Sequence, residues 1–332
     1  STEVRVPHRA ASDYPSQRLP LPALALAILL APARNDASEA VHLIETHHYA
    51  DARRLLEPQA KTDATGESAY WLGRIAIRTL DLDLAVEWLE RAVTANPAVS
   101  ERHHWLGRAY GQKALRSNVI KQAVLARKVR QEFEEAVRLD PANLDARYDL
   151  EEFYLVAPGF MGGSMEKAEG EAREIRSRDA MAGYEAWGRI YSQKNDGARA
   201  EAEFRRAIAE FPKEPEPYYW LANHFQRQKE TARAMDVLES LLKANPEAPG
   251  AYYGIARLAL ASGERLDRAE ECLKIYLTKQ PGKDDPAPAW AHFRLGGIYE
   301  KKGNRAGARA EYQTALELEP GLIDAREALK KL

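Results

Sequence analysis

The fold of this chain is decided by three stretches that repeat one pattern: residues 184–191 read YEAWGRIY, residues 218–225 read YYWLANHF and residues 252–259 read YYGIARLA. Each begins with tyrosine and carries glycine or alanine at its fifth position, and successive copies start 34 residues apart. Pro212 and Pro246 follow the first two copies and are also 34 residues apart. This constant period, with small residues and prolines at fixed positions, indicates a repeated unit of two helices.

A pair of packed helices explains why these positions are fixed. The glycine or alanine lets the two helices of a hairpin approach closely, and large side chains on both sides of it fill the space between neighbouring hairpins. Proline ends the second helix, because it lacks an N–H group and disfavours helical backbone in the residue before it. Each hairpin leaves one apolar face uncovered, so only the stacking of successive hairpins buries that face.

Further copies with the same phase extend along the chain. An earlier one consists of Leu72, Gly73, Ala85, Leu89 and Pro97. A late one consists of Leu295, Gly296, Tyr299, Ala308, Tyr312 and Pro320. On these residues the chain resembles the tetratricopeptide repeat family over residues 37–332. The resemblance implies an all-α fold, a right-handed α-solenoid of about eight helical hairpins with a C-terminal capping helix.

The phase of the repeat also predicts the bounds of the units. A divergent hairpin is expected at residues 37–60 and a capping helix at residues 321–332. Between them, repeats are expected at about residues 66–99, 100–143, 144–180, 181–214, 215–248, 249–282 and 289–320. The second half of the repeat at 100–143 arrives ten residues late, which predicts longer helices. In the next repeat Glu151 stands in the small-residue position.

The N-terminal part has a different character. Residues 1–33 form a leader in which Arg18 precedes an apolar run at residues 19–30, and the run ends in Ala-Pro-Ala at residues 31–33. This order is typical of a secretory signal peptide, and the run is shorter than the ~20 residues that span a bilayer. We therefore expect an exported, periplasmic protein with no integral membrane span after removal of the leader. The alternatives are an apolar helix that caps the array, and a cytoplasmic location.

Composition and motifs argue against several function classes. The formal net charge is −2, so no strong field favours nucleic acid or a membrane. The single cysteine, Cys272, excludes an internal disulfide, and its place beside Leu273 on a packing helix predicts a buried thiol. Glu39 and His42 have a spacing found in metal sites, but the second copy that such sites need is absent. We therefore predict a protein without enzymatic activity, metal or cofactor.

The repeat phase also identifies residues that face a ligand. In the tetratricopeptide family the first helix of each hairpin lines a concave surface, and here aromatic residues and arginines recur there at positions i and i+4. They predict a groove formed by Tyr70, Arg74, His104, Arg108, Tyr148, Arg189, Tyr219, Asn223, Tyr253, Arg257, Trp290 and Phe293. The alternative is that the arginines pair within their own helix, as Glu185 and Arg189 could, and that the aromatics pack against the next hairpin.

A second candidate surface lies in the lengthened repeat and the loop at residues 157–164. No acidic residue occurs from Arg102 to Gln131. The surface comprises Lys113, Arg116, Lys121, Arg127, Lys128, Phe160 and Met161. It is either a docking site for an acidic partner or an anionic headgroup, or a solvated face with a packed loop. The loop contains three glycines, and Ser164 is expected to be the N-cap of the next helix. The surrounding sequence resembles uncharacterised bacterial exported proteins with this repeat.

These features predict a non-catalytic interaction scaffold or adaptor. Aromatic side chains supply apolar contact area, and arginines pair with carboxylates through two parallel hydrogen bonds. An unknown protein or peptide is the expected partner, the arginines favour an acidic one, and nucleic acid is not expected. The family's carboxylate-binding members use Lys and Asn, of which Asn223 alone is present. The alternative is a structural subunit of a cell-envelope or secretion assembly that uses its outer surface and the basic residues of 111–131.

Overall fold

The computed structural model describes residues 36–279 and 285–332, and the predicted leader at residues 1–33 lies outside them. Over these two ranges the chain forms α-helices and one short 3-10 helix, with no β-strand. It divides into two compact units, the first ending at Pro97 and the second beginning at Ala98.

The first unit contains α1 (Asp36–Glu45), α2 (Tyr49–Gln59), α3 (Glu67–Arg78) and α4 (Leu82–Ala95). The second unit begins with α5 (Ser100–Leu115), α6 (Val119–Leu139), α7 (Leu144–Val156), a 3-10 turn (Gly159–Met161), α8 (Met165–Arg178), α9 (Ala180–Gln193) and α10 (Gly197–Glu210). It continues with α11 (Pro215–Arg227), α12 (Thr231–Ala244), α13 (Pro249–Ser262), α14 (Leu266–Thr278), α15 (Pro288–Lys301), α16 (Arg305–Leu318) and α17 (Ile323–Lys331). Consecutive helices pair into eight hairpins followed by one helix, which confirms the predicted all-α repeat fold.

The small residue at the fifth pattern position packs directly against the second helix of its own hairpin. A Cβ atom at Gly107 of α5 would lie 2.5 Å from the ring of Phe133 on α6, and one at Gly296 of α15 would lie 2.5 Å from the ring of Tyr312 on α16. A Cβ atom at Gly188 would likewise lie too close to the ring of Phe204 on α10. These contacts are closer than real Cβ atoms make, so a larger residue forces the two helices apart.

The turns between paired helices are built in a recurring way. Asn195 and Gly303 have φ values of 57° and 78°, and each stands directly before the N-cap of the second helix. The N-caps Asp196 and Asn304 accept a hydrogen bond from the backbone N–H three residues later. A left-handed residue reverses the chain in a short turn, and the polar N-cap then satisfies one of the free N–H groups of the helix. Ser164 caps α8 by the same bond, as predicted.

The fourth hairpin, α7–α8, accommodates a glutamate where its neighbours carry glycine or alanine. Glu151 is fully buried, although it occupies the position of Gly188 in the fifth hairpin. On α10, the second helix of the fifth hairpin, Phe204 stands eight residues after the N-cap. The residue at the same distance from the N-cap of α8 is Ala172. The hairpin with the larger residue on its first helix thus has the smaller residue at the equivalent position of its second helix.

The two ends of the second unit also follow the prediction. The insertion near its start lengthens both helices, so α5 has 16 residues and α6 has 21. At the C-terminus, Leu322 and Ala325 pack on Ala289 and Ala315, so α17 covers the last hairpin. The capping helix is therefore confirmed.

Candidate ligand-binding surface

The first helices of the sixth and seventh hairpins bring four of the predicted groove residues around one cavity. Tyr219 and Asn223 on α11, with Tyr253 and Arg257 on α13, line a cavity of about 550 Å³. The two pairs are related by the 34-residue period, so equivalent positions of successive hairpins meet at this place. Asp285 and Pro286 close one side of the cavity.

Arg257 is a half-buried cation with a neutral partner. Its Nη2 donates a hydrogen bond to Oε1 of Gln226, at 3.0 Å. Over residues 36–279 and 285–332 no carboxylate lies within 4.0 Å of its guanidinium group. Burial lowers the pKa of Arg257, and the positive charge of Arg294 lowers it further. Arg257 therefore makes no direct ion pair with a described residue, and the carboxylate that shares its cavity, Asp285, lies beyond 4.0 Å.

Arg294 adds a second cation beside the first. Its Nε donates a hydrogen bond to the hydroxyl oxygen of Tyr253, at 2.6 Å, and its guanidinium carbon lies 5.1 Å from the centre of that ring. It also has no carboxylate within 4.0 Å in the described part of the chain. The repeat phase did not single out Arg294, because it lies one residue beyond the aromatic position held by Phe293.

Tyr219 is held at the edge of the cavity by close contacts. A Cβ atom at Gly250 would lie 2.6 Å from the Tyr219 hydroxyl and 3.2 Å from Oδ1 of Asp285, so glycine at this position leaves room for both. Burial raises the pKa of Tyr219 to about 12, and the charge of Asp285 adds to the effect. The hydroxyl is therefore a neutral hydrogen-bonding group at ordinary pH.

A second cavity adjoins α11 on the other side. It has a volume of about 560 Å³ and is lined by polar and apolar side chains of α7, α9 and α11, among them Glu152, Leu155, Arg189 and Arg227. Because α11 contributes to both cavities, recesses follow one another along the first helices of the fourth to seventh hairpins.

Arg189 is already paired, but with a partner other than the expected one. Its Nη2 lies 2.5 Å from Oε2 of Glu151 on the preceding hairpin, and its guanidinium carbon lies 4.4 Å from the centre of the Tyr148 ring. The other oxygen of Glu151 is buried without a hydrogen-bond partner among the described residues. Burial raises the pKa of Glu151 to about 7, and the charges of Glu152 and Glu185 oppose its ionisation further.

The predicted groove does not extend unchanged toward the start of the second unit. His104 is only 2% exposed, and its Nε2 lies 2.8 Å from Oδ2 of Asp149 on α7. Nε of Arg108 lies 3.3 Å from the same carboxylate oxygen, and its guanidinium carbon lies 4.9 Å from the centre of the Trp105 ring. The prediction that His104 is an open groove residue is wrong, because the position is filled by packing against the next hairpin.

The two predicted groove residues at the C-terminal end, Trp290 and Phe293, make packing contacts with their neighbours. The ring of Phe293 lies 5.7 Å from that of Tyr312 and 6.0 Å from that of Trp290. Both Trp290 and Phe293 pack on the hydrophobic cluster through which Ala325 of α17 contacts the last hairpin. These two half-buried residues therefore contact the last hairpin and the capping helix, and their place in the groove stays a prediction.

The first unit carries its own aromatic–arginine pair. Tyr70 is buried in α3, and Nη1 of Arg74 donates a hydrogen bond to its hydroxyl oxygen at 3.1 Å. The guanidinium carbon of Arg74 lies 4.6 Å from the centre of the Trp71 ring. The pair thus makes a hydrogen bond and a ring contact within one helix.

The second candidate surface divides into exposed and buried members. Arg116, Lys121 and Arg127 are exposed, and Lys128 donates a hydrogen bond to the Tyr110 hydroxyl at 3.1 Å. Phe160 is 73% exposed, whereas Met161 is 7% exposed. The side chain of Met161 packs inside the turn and lines a recess between α5, α6 and α7, and its contact with a partner stays a prediction.

The remaining candidate groups are the single thiol and the possible metal ligands of the described residues. Cys272 is fully buried, as predicted, and burial raises the pKa of its thiol to about 12. In the ranges that the structure describes, no three His, Cys, Asp or Glu side chains lie close enough to hold a metal ion. A search of the same ranges finds no helix that is both long and apolar enough to cross a membrane.

A chain made of stacked two-helix units with a small residue at each helix crossing is a helical-repeat protein. Three family models, each described as tetratricopeptide repeat, match residues 38–100 and 185–249, residues 225–284 and residues 289–322. Together the matches cover more than half of the chain, so the chain belongs to the tetratricopeptide repeat family.

Individual proteins resemble this chain at low sequence identity or over a small part of their length. Human protein O-mannosyl-transferase TMTC1 is 31% identical over 123 residues, which are 35% of this chain and 13% of that protein. The chain thus matches only a small part of this curated relative. A thermophilic tetratricopeptide protein of Thermus thermophilus superposes with a TM-score of 0.47 at 18% identity, over 58% of this chain and 98% of that one. A tetratricopeptide protein of Parabacteroides merdae gives 0.45 at 17% identity, over 80% and 98%.

Proposed function

We propose that this chain is a non-catalytic adaptor that binds an acidic, extended segment of another protein across the first helices of its fifth to seventh hairpins. The tetratricopeptide fold is in general that of a protein-interaction scaffold, because it presents a row of equivalent helix faces to a ligand. The observation that carries the finer proposal is the half-buried Arg257, which lies beside Arg294 and has no carboxylate within 4.0 Å in the described residues.

The energetic argument rests on the missing counter-charge. A buried cation is costly unless a charged or hydrogen-bonding group compensates it, and the amide oxygen of Gln226 is a weaker acceptor than a carboxylate. A carboxylate of a ligand that displaced this amide would form two parallel hydrogen bonds with the guanidinium group. Arg108 and Arg189 contact the carboxyl groups of Asp149 and Glu151 within the protein, so they are not equivalent sites.

The surroundings of Arg257 suit a peptide rather than a small ion. Tyr219 and Tyr253 present apolar ring surface with polar hydroxyl groups on the walls of the same cavity. Such side chains bury contact area while losing little conformational freedom. Exposed Asn223 offers both a donor and an acceptor for the backbone of an extended ligand.

Peptide selection tests this proposal without knowledge of the natural partner. Peptides are selected from a random-peptide phage library on the wild-type chain, and their affinities are then measured for purified variants. We expect the selected peptides to be enriched in Asp and Glu. We expect Arg257→Gln to weaken their binding about tenfold or more, which corresponds to the loss of one charge-assisted interaction. The double variant Tyr219→Ala/Arg257→Ala should abolish binding and retain the circular dichroism of the wild type.

A matched control separates this site from general charge effects. Arg205 on α10 is an exposed arginine with its own partner, since its Nε lies 2.8 Å from Oε1 of Glu201. Arg205→Gln should leave peptide affinity unchanged. Selected peptides that bind the double variant as tightly as the wild type would contradict the proposal, and would favour a structural subunit that makes its contacts through the outer surface.

A further inference from the structure

The turn between α5 and α6 concentrates exposed aliphatic side chains. Four of the nine large hydrophobic side chains that are exposed in the described residues lie within ten positions here. They are Leu115, Val119, Ile120 and Val124, and they are between 56% and 81% exposed. Together with the basic residues Arg116, Lys121 and Arg127 they are called the apolar–basic tip below.

The insertion in this hairpin places the tip beyond the ordinary length of a repeat. Helix α6 has 21 residues, whereas the second helices of the next three hairpins have 14, 14 and 14. Pro141 keeps its place after the C-terminal end of α6, so the additional turns lie at the end near Asn118. Seven additional residues correspond to about 10 Å of helix.

The exposed residues of α6 lie on the side away from the core of the hairpin. Ala126, Val129 and Phe133 are buried and form the packed side of the helix. Ile120 and Val124 are spaced by four residues and share a face, and Arg127 continues this face one turn later. Rotation by about 100° per residue places this stripe opposite the buried one. One side of α6 thus belongs to the core, and the other is an apolar stripe bordered by cations.

The charges of the tip are of one sign. No acidic residue occurs from Arg102 to Gln131, and none of the three basic residues of the tip has a carboxylate within 4.0 Å in the described residues. Some arginines on other second helices do have carboxylate partners. Arg205 on α10 pairs with Glu201, and Arg268 on α14 pairs with Glu239 at 2.7 Å. The tip therefore presents an unbalanced positive charge around exposed aliphatic groups.

We propose that the apolar–basic tip binds the surface of an anionic lipid bilayer. The aliphatic side chains enter the headgroup region, and Arg116, Lys121 and Arg127 contact lipid phosphate and carboxylate groups. Aliphatic side chains bordered by Lys and Arg are the composition that interfacial membrane binding requires. This inference is independent of the proposed binding of acidic peptides at Arg257.

Vesicle sedimentation with the whole purified chain tests the inference. We expect the chain to sediment with vesicles of phosphatidylcholine and phosphatidylserine, and to remain in solution with vesicles of phosphatidylcholine alone. Arg116→Gln/Lys121→Gln/Arg127→Gln should lower the partition coefficient on the order of 100-fold, because each basic residue near an anionic surface contributes a factor of about five. Ile120→Ser/Val124→Ser should also weaken binding, and it should do so without removing the dependence on salt.

The control variants carry equivalent changes elsewhere on the surface. Arg205→Gln/Arg233→Gln removes two exposed arginines that have carboxylate partners, and Ile323→Ser removes an exposed aliphatic side chain on α17. Both should bind vesicles as the wild type does. Circular dichroism verifies that every variant retains its helices.

Two results would overturn the inference. One is equal sedimentation of the wild type and the triple variant with phosphatidylserine vesicles. The other is binding of poly-glutamate, lost in the triple variant, by a chain that does not sediment with phosphatidylserine vesicles. The second result would assign the tip to an acidic protein partner instead.

Discussion

Glu151 departs furthest from the repeat pattern, and its neighbours explain how a carboxylate is tolerated there. One arginine, Arg189, faces it at 2.5 Å, while Glu152 and Glu185 add negative charge nearby. Burial also raises the pKa of Glu185. A single cation therefore serves several carboxylates, so the neutral form of Glu151 persists to a higher pH than in an unfolded chain.

This arrangement predicts a pH dependence of stability that depends on one side chain. The pKa of Glu151 rises from 4.5 to about 7 on folding, so the folded chain binds more protons between these values. The contribution of Glu151 to stability is fully present below pH 4.5 and is lost as the pH rises toward 7. Relative to Glu151→Gln, the wild type should lose on the order of 1–3 kcal/mol across this window. Urea unfolding of both proteins at several pH values measures the difference, and a constant difference would contradict it.

The glycine at each helix crossing gives a second prediction at this scale. Gly188→Ala places a Cβ atom against the ring of buried Phe204, so we expect a loss of about 1–3 kcal/mol. Gly170 lies in the middle of α8, and a Cβ atom there would meet nothing within 4 Å. Gly170→Ala should therefore stabilise the chain by about 0.5–1 kcal/mol, since alanine favours the helix. Thermal melting compares the two variants, and equal shifts of the same sign would be inconsistent with close packing at Gly188.

Among the elements, α17 shows how the array ends. An array of hairpins exposes the apolar face of its last unit unless another element covers it. Ala325 is fully buried in this contact, whereas Ile323 on the same helix is 66% exposed. The two positions differ by two residues and thus lie on different sides of α17.

We expect Ala325→Asp to displace α17, because a charge buried without a partner is more costly than the loss of this short helix. Hydrogen exchange should then lose protection in α17 and in the neighbouring α16. Ile323→Asp introduces the same charge on the exposed side and should leave protection unchanged. Equal effects of the two substitutions would show that α17 does not depend on this contact.

The helical hairpins were predictable from the sequence, whereas several side-chain partners in the candidate site were not, and the two outcomes have different physical causes. The 34-residue period predicts the hairpins because each small residue acts through its own hairpin, as Gly188 does against Phe204. The ionic partner of Arg189 was not predictable in this way, since Glu151 lies 38 residues earlier and in a glycine position. A local spacing rule favoured Glu185 instead. His104 failed similarly, because its partner Asp149 belongs to the next hairpin.

At the scale of the whole molecule, the proposed ligand contacts several hairpins of the second unit at once. The cavities on both sides of α11 draw side chains from α7, α9, α11 and α13. In a repeat array each unit is stabilised mainly by its neighbours, so a ligand that bridges several units adds to their coupling. None of the described residues of the first unit, 36–97, lines either cavity.

Binding should therefore stabilise one unit selectively. An acidic peptide obtained by selection, present at about 100 times its Kd, should stabilise the native second unit by about 2.7 kcal/mol. Hydrogen exchange should slow in α9, α11 and α13 and remain unchanged in α1–α4. Protection confined to the first unit would place the ligand elsewhere.

The most direct test of the proposed function is a double-mutant cycle between Arg257 and one carboxylate of a selected peptide. Titration calorimetry measures the affinities of the wild type and Arg257→Gln for the peptide and for its Asp→Asn counterpart. We predict a coupling energy of about 1–3 kcal/mol, because each single change removes the same charge-assisted pair. A coupling energy near zero for every carboxylate of the peptide would contradict the claim that Arg257 receives an acidic ligand.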